Sequence, residues 1–130
     1  MRSKNSLLRL HRFRFEEKRR QVSEIEFMIA DFQRKFEDID LQIKAEEERT
    51  GISDPSHFNY SMTAKSLVTR RENLVKSMDE LKEQLVIAKA EAEETEADLR
   101  KVELLAEKEG LIQPAVPEVP GHDAGDYIGS

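Results

Sequence analysis

Residues 47–61 read EERTGISDPSHFNYS, and they decide whether the chain is one long helix or two. Gly51, the Asp54-Pro55 step and Asn59 carry turn chemistry: Gly tolerates positive φ, Pro restricts the residue before it, and Asn and Asp bond their own backbone. Upstream, residues 1–50 contain neither Gly nor Pro, and downstream the next breaker after Pro55 is Gly110. Two breaker-free stretches on either side of a short turn predict two helices, about 3–50 and 62–109, with a connection over 51–61. A connection of that length forces its helices antiparallel. At 1.5 Å per residue the product is a rod roughly 65 to 75 Å long.

Each stretch carries its own apolar stripe. With Leu8 at heptad position a, the first helix places Leu8, Phe15, Val22, Ile29, Phe36 and Ile43 at a. Its d positions are His11, Lys18, Ile25, Phe32, Ile39 and Glu46. The second helix places Leu67, Leu74, Leu81, Ala88, Thr95 and Val102 at d, and Arg71, Met78, Leu85, Ala92, Leu99 and Ala106 at a. Two stripes of one period in one chain predict an all-α fold, an antiparallel two-helix coiled-coil hairpin. The period does not set the register. Pairings whose residue numbers sum to 110 or to 117 both bring a against d. The second is preferred here, because it sets Ile43 against Leu74 and Ile39 against Met78 and pairs Glu46 with Arg71 at the apex, whereas the first turns the Arg71 charge toward Ile39.

Composition agrees with a rod. Hydrophobic residues make up 38% and charged residues 37%, with no Trp, too little apolar volume for a thick core and typical of long helices. From Gly110 to Ser130 the chain turns to Pro, Gly and small residues, which predicts a disordered tail over 110–130. Without Cys there is no disulfide or thiolate site, a composition compatible with a reducing compartment. No apolar run is long enough for a span, and the Leu7, Leu8, Leu10 cluster is broken by Arg9, so neither a signal peptide nor an anchor is expected.

Net charge is -6 but unevenly placed: residues 1–20 hold eight Lys or Arg against two Glu, and residues 91–109 hold eight acids against three bases. The hairpin lays these segments side by side, so the first expectation is that they pair with each other and reinforce orientation where His11 and Lys18 weaken the seam. The competing use of the basic segment is as an arm for anionic lipid or an acidic protein patch. Nucleic acid is not expected as a partner, since the chain is acidic overall and no aromatic platform or binding motif accompanies the arginines.

Nothing in the sequence supplies chemistry. His11, His57 and His122 do not share a helical face, the acidic runs sit where a solvated coiled-coil surface puts them, and there is no phosphate loop or nucleophile motif. No catalytic residue, metal site or cofactor is therefore expected. The residues left over by the seam are the candidates for function. Leu7, Leu10, Phe13 and Phe27, with Met28 beside them, lie off the seam of the first helix, among Arg9 and Arg12, and Val68, Val75, Val86, Ile87 and Leu104 lie off that of the second. They are scattered surface hydrophobes or the footprint of a third helix, from a partner or a second copy. Phe58 and Tyr60 in the connection are either packed over the apex or presented to a partner.

Several blocks together resemble a known family. The opening SLLRLHRFRFEEKRRQVSEIE at 6–26, the EERTGISDPSHF turn at 47–58, and LKEQL followed by an acidic, Ala-rich stretch ending in KVELL at 101–105 are similar to the FliJ family of flagellar export proteins in its alphaproteobacterial form. The likeness covers about residues 1–109. It implies a non-enzymatic, cytoplasmic component of the flagellar type III export apparatus, peripheral to the inner membrane at the flagellar base. Such proteins are stalk-like coiled coils. The resemblance implies binding to the hexameric export ATPase, to the membrane protein of the export gate and to export chaperones, with Leu7, Leu8, Arg9, Arg12 and the acidic end of the second helix facing the ring. The rival expectation is a general scaffold or membrane-peripheral adaptor acting through a homodimer.

Overall fold

A computed structural model describes residues 2–113, with side chains from Lys4 onward. It contains two helices, α1 (Arg2–Thr50) and α2 (Met62–Lys108), packed against each other as a hairpin. The predicted tail lies outside the described residues from 114 on.

Local chemistry ends each helix where the sequence places a glycine. Gly51, at φ 74°, donates its N–H to the Glu47 carbonyl at 2.8 Å, the single-bond left-handed cap that closes α1. Thr50 reinforces it, its hydroxyl turned onto the Glu46 and Glu47 carbonyls. In the connection the Asp54 carboxylate accepts from the Ser56 N–H at 3.0 Å, and the His57 N–H donates to the Asp54 carbonyl at 3.0 Å, so the Asp-Pro step folds into a compact turn. Ser61 then caps α2, its hydroxyl accepting from the Ala64 N–H at 3.2 Å. At the far end Gly110, at φ 75°, and Leu111 donate to the Glu107 and Ala106 carbonyls at 3.0 and 2.8 Å, the paired bonds of a Schellman cap. Leu111 and Ile112 fold back against the base of the rod, so the hairpin's packing runs a few residues past the boundary at Gly110.

Apolar packing is concentrated at the two ends. At the base, Leu8, Leu99, Val102 and Ala106 are buried together, with Phe15 beside them. Near the apex Ile39, Ile43 and Leu67 form a second cluster, flanked by Val68 and Leu74. Met78, Leu81 and Ala88 are buried between them. The remaining seam side chains, Phe15, Val22, Ile25, Ile29, Phe32, Phe36, Leu74 and Leu85, are half-buried, because a single facing helix covers only one side of each.

The register corrects the expectation. Leu67 packs with Ile39 and Ile43, one heptad nearer the connection than the preferred pairing, so the helices take the alignment whose residue numbers sum to 110. The objection to that alignment was Arg71 facing Ile39, and the molecule answers it with the next residue: Arg71 Nη1 meets Asp40 Oδ1 at 2.6 Å. The apex pair Glu46–Arg71 does not form. Glu46 instead holds Arg49 on its own helix through two bonds of 2.8 and 2.9 Å and accepts from the Ser61 hydroxyl at the start of α2.

Candidate partner-binding surface

The expected zipper between the basic start of α1 and the acidic end of α2 is sparse. Only Lys4–Glu109 and Lys18–Glu91, the latter at 3.2 Å, join those segments among the described residues. Arg20 turns to Glu17 on its own helix, and Arg19 stands over the Phe15 ring, 5.7 Å from its centroid. Arg9, Arg12 and Arg14 are exposed and make no ion pair among the described residues. Geometry explains this: at positions b, e and g their side chains stand on the flanks and outside of α1, and the acids at the end of α2 are spread over its outer surface and both flanks instead of gathering on one side. The two charge clusters therefore share one end of the rod with little direct contact.

Apolar side chains accompany these arginines. Leu7 and Leu10 are exposed to about two-fifths, Phe13 is 61% exposed and Phe27 68%, with Met28 beside it. Leu7, Leu10 and Phe13 follow one another at three-residue steps, so they form a slanting row along the outer side of the first turns. On α2, Val86, Ile87 and Leu104 are exposed, Val75 is partly so, and Val68 packs onto the apical cluster. Leu41, Met62 and Leu105 are exposed as well, and they were not singled out from the sequence. Leu41 and Leu105 were readable as off-seam by their f and g positions. Met62 was hidden because it opens a helix before the stripe begins.

The apex separates its two aromatic candidates. Phe58 is 89% exposed and stacks on His57, ring centroids 5.0 Å apart. Tyr60 is 4% exposed and is not a free contact residue, which corrects its place among the partner candidates. Its hydroxyl donates to Glu47 Oε2 at 2.6 Å, tying the end of the connection to the last turn of α1. That bond, followed by burial, pushes the Tyr60 phenol up to about 12. Glu46 beside it moves the other way, to about 2, through its bonds to Arg49 and then Ser61. These shifted groups belong to a structural clamp on the turn.

Among the described residues no three metal-binding side chains converge, and no helix is long and apolar enough to cross a membrane. Compared with protein-family models, curated proteins and solved structures, the chain matches none.

Proposed function

We propose that this chain is a non-enzymatic component of the bacterial flagellar type III export apparatus, a stalk-like coiled coil that binds the export ATPase ring and couples it to the export gate and its chaperones. The reading rests on the family resemblance of the 6–26, 47–58 and 101–105 blocks. The observation that carries it furthest is the base of the rod, where Arg9, Arg12 and Arg14 stand without ion-pair partners among the described residues, next to exposed Leu7, Leu10 and Phe13. Unpaired guanidinium groups beside apolar side chains are the ingredients of protein-binding hot spots, and Arg forms two-pronged bonds to carboxylates. A ring of subunits that presents acidic and apolar side chains to its pore would fit this end. Exposed Phe58 and His57 at the opposite end are then the natural candidates for a second contact, toward the gate or a chaperone. Work of this kind belongs in the cytoplasm against the inner membrane.

The test is direct. Purified chain should pull down an export ATPase and raise its rate of ATP hydrolysis, and the triple variant Arg9→Glu, Arg12→Glu, Phe13→Glu should lose both effects while keeping its helicity. No binding and no stimulation by the wild-type chain overturns the reading.

A further inference from the structure

The two flanks of the hairpin differ. On the e flank, inter-helix ion pairs close the seam: Arg71–Asp40 at 2.6 Å and Lys89–Glu26 at 4.0 Å. On the g flank one ion pair, Lys18–Glu91 at 3.2 Å, joins the helices toward the base, and from Gln21 to the apex none does so among the described residues. There a depression of about 450 Å³, bordered by Lys35, Gln42, Arg70 and Ser77, reaches down to Ile39 and Leu74. Large a and d side chains, Val22, Ile25, Ile29 and Phe32 among them, are only half-buried along the same seam. A two-helix rod leaves these groups partly wet, and a four-helix bundle is the arrangement that covers them.

We propose that the g flank is the docking surface for a second copy of this chain, two hairpins closing into an antiparallel four-helix bundle about a twofold axis along the rod. In that arrangement each α1 meets α2 of the other copy, g row to g row, at the height the hairpin register already sets. The rows complement each other. Leu7 falls opposite Leu105 of the other copy, Arg14 opposite Asp98, and Met28 opposite Gln84 with Ile87 close by. The four remaining facing pairs each include a side chain without charge, so like charges never meet along the row. Leu7, Met28, Ile87 and Leu105, all substantially exposed in the single hairpin, become core or rim residues at the base and centre of the bundle. Two added helix–helix contacts, each about 70 Å long and about 10 Å wide, cover more than the roughly 800 Å² per partner of a standard interface. The dimer takes Leu7 and Arg14 from the base surface offered above to the ring, whereas Arg9, Arg12 and Phe13 lie off the g row, so the triple variant that tests ATPase binding leaves the dimer contacts in place.

Sedimentation equilibrium of the full chain decides it, with a dimer of the 15.0 kDa chain expected at micromolar concentration. The double variant Met28→Glu, Leu105→Glu should be monomeric with unchanged helicity, whereas Val86→Glu, on the opposite flank, should still dimerise. Charge exchange tests the pairing itself. Arg14→Glu alone and Asp98→Arg alone should each associate about tenfold more weakly, because each sets like charges together twice. An equimolar mixture of the two should recover wild-type affinity, since both contacts then join opposite charges. A wild-type chain that stays monomeric up to about 200 μM, weaker than any working dimer, overturns the proposal, including the case in which it binds anionic vesicles instead. A mixture no tighter than its components, or a Val86→Glu effect equal to that of the double variant, overturns it too.

Discussion

Arg71 and Asp40 show how one residue decides an alignment. A guanidinium at a seam position is tolerable only if an acid stands within reach, and Asp40, one residue beyond Ile39, supplies it at 2.6 Å. Lys44 and then Arg71 hold the Asp40 carboxyl below its ordinary range. A double-mutant cycle between Arg71→Ala and Asp40→Ala, read by urea unfolding, should show positive coupling, while Arg71→Ala and Glu46→Ala should add independently. Tyr60 and Glu46 give the turn a pH signature on both sides of neutrality. The Glu46 carboxyl falls from 4.5 to about 2 on folding, so its contribution is present above pH 4.5 and is lost as pH falls toward 2. The Tyr60 phenol rises from 10.0 to about 12, so its contribution is complete below pH 10 and is lost as pH climbs through 12. Urea midpoints of Glu46→Gln should therefore vary less than wild type between pH 5 and 2, and those of Tyr60→Phe less between pH 10 and 12. At neutral pH Tyr60→Phe should cost about 1 kcal/mol, the value of one hydrogen bond.

Helix boundaries were legible to within a residue or two because their determinants are local. Gly51 and Gly110 stand at left-handed φ in the two C-caps, and Ser61 accepts the bond that starts α2. Replacing either glycine with Ala should cost about 1 to 2 kcal/mol even though open space surrounds both positions, since the penalty is in the backbone. Ser61→Ala should cost about 1 kcal/mol, and thermal melts of all three variants check these values. Register was not legible for the opposite reason: a heptad repeat looks the same after a shift of seven, and the discriminating contact lay at Asp40, a flank position that the a and d series ignores. Tyr60 and Phe58 were indistinguishable for a similar reason. Two aromatics two residues apart in a loop carry no periodicity, and the hydrogen bond that buries one of them comes from Glu47, thirteen residues earlier. Charge segregation was visible in the sequence, yet whether the clusters would touch depended on which way each side chain leaves its helix.

At the scale of the whole molecule, buried side chains run along the seam and gather into a cluster at each end. Ile43, 3% exposed within the apical cluster, should cost about 2 to 4 kcal/mol when cut to Ala, whereas Phe27→Ala on the outer surface should be nearly neutral for folding and informative only for binding. Both the stalk reading and the dimer require that the chain double back at residues 51–61 and satisfy its own two stripes. The absence of cysteine makes this simple to measure, because two introduced cysteines, Arg9→Cys and Arg100→Cys, carry the only spin labels. Double electron–electron resonance on labelled chain diluted into excess unlabelled chain reads the distance within one molecule. The hairpin predicts labels within about 30 Å of each other, two helix diameters plus the label arms. Loss of any measurable distance, as for one continuous helix or a chain zipped to its neighbour with these positions on the order of 130 Å apart, would contradict it.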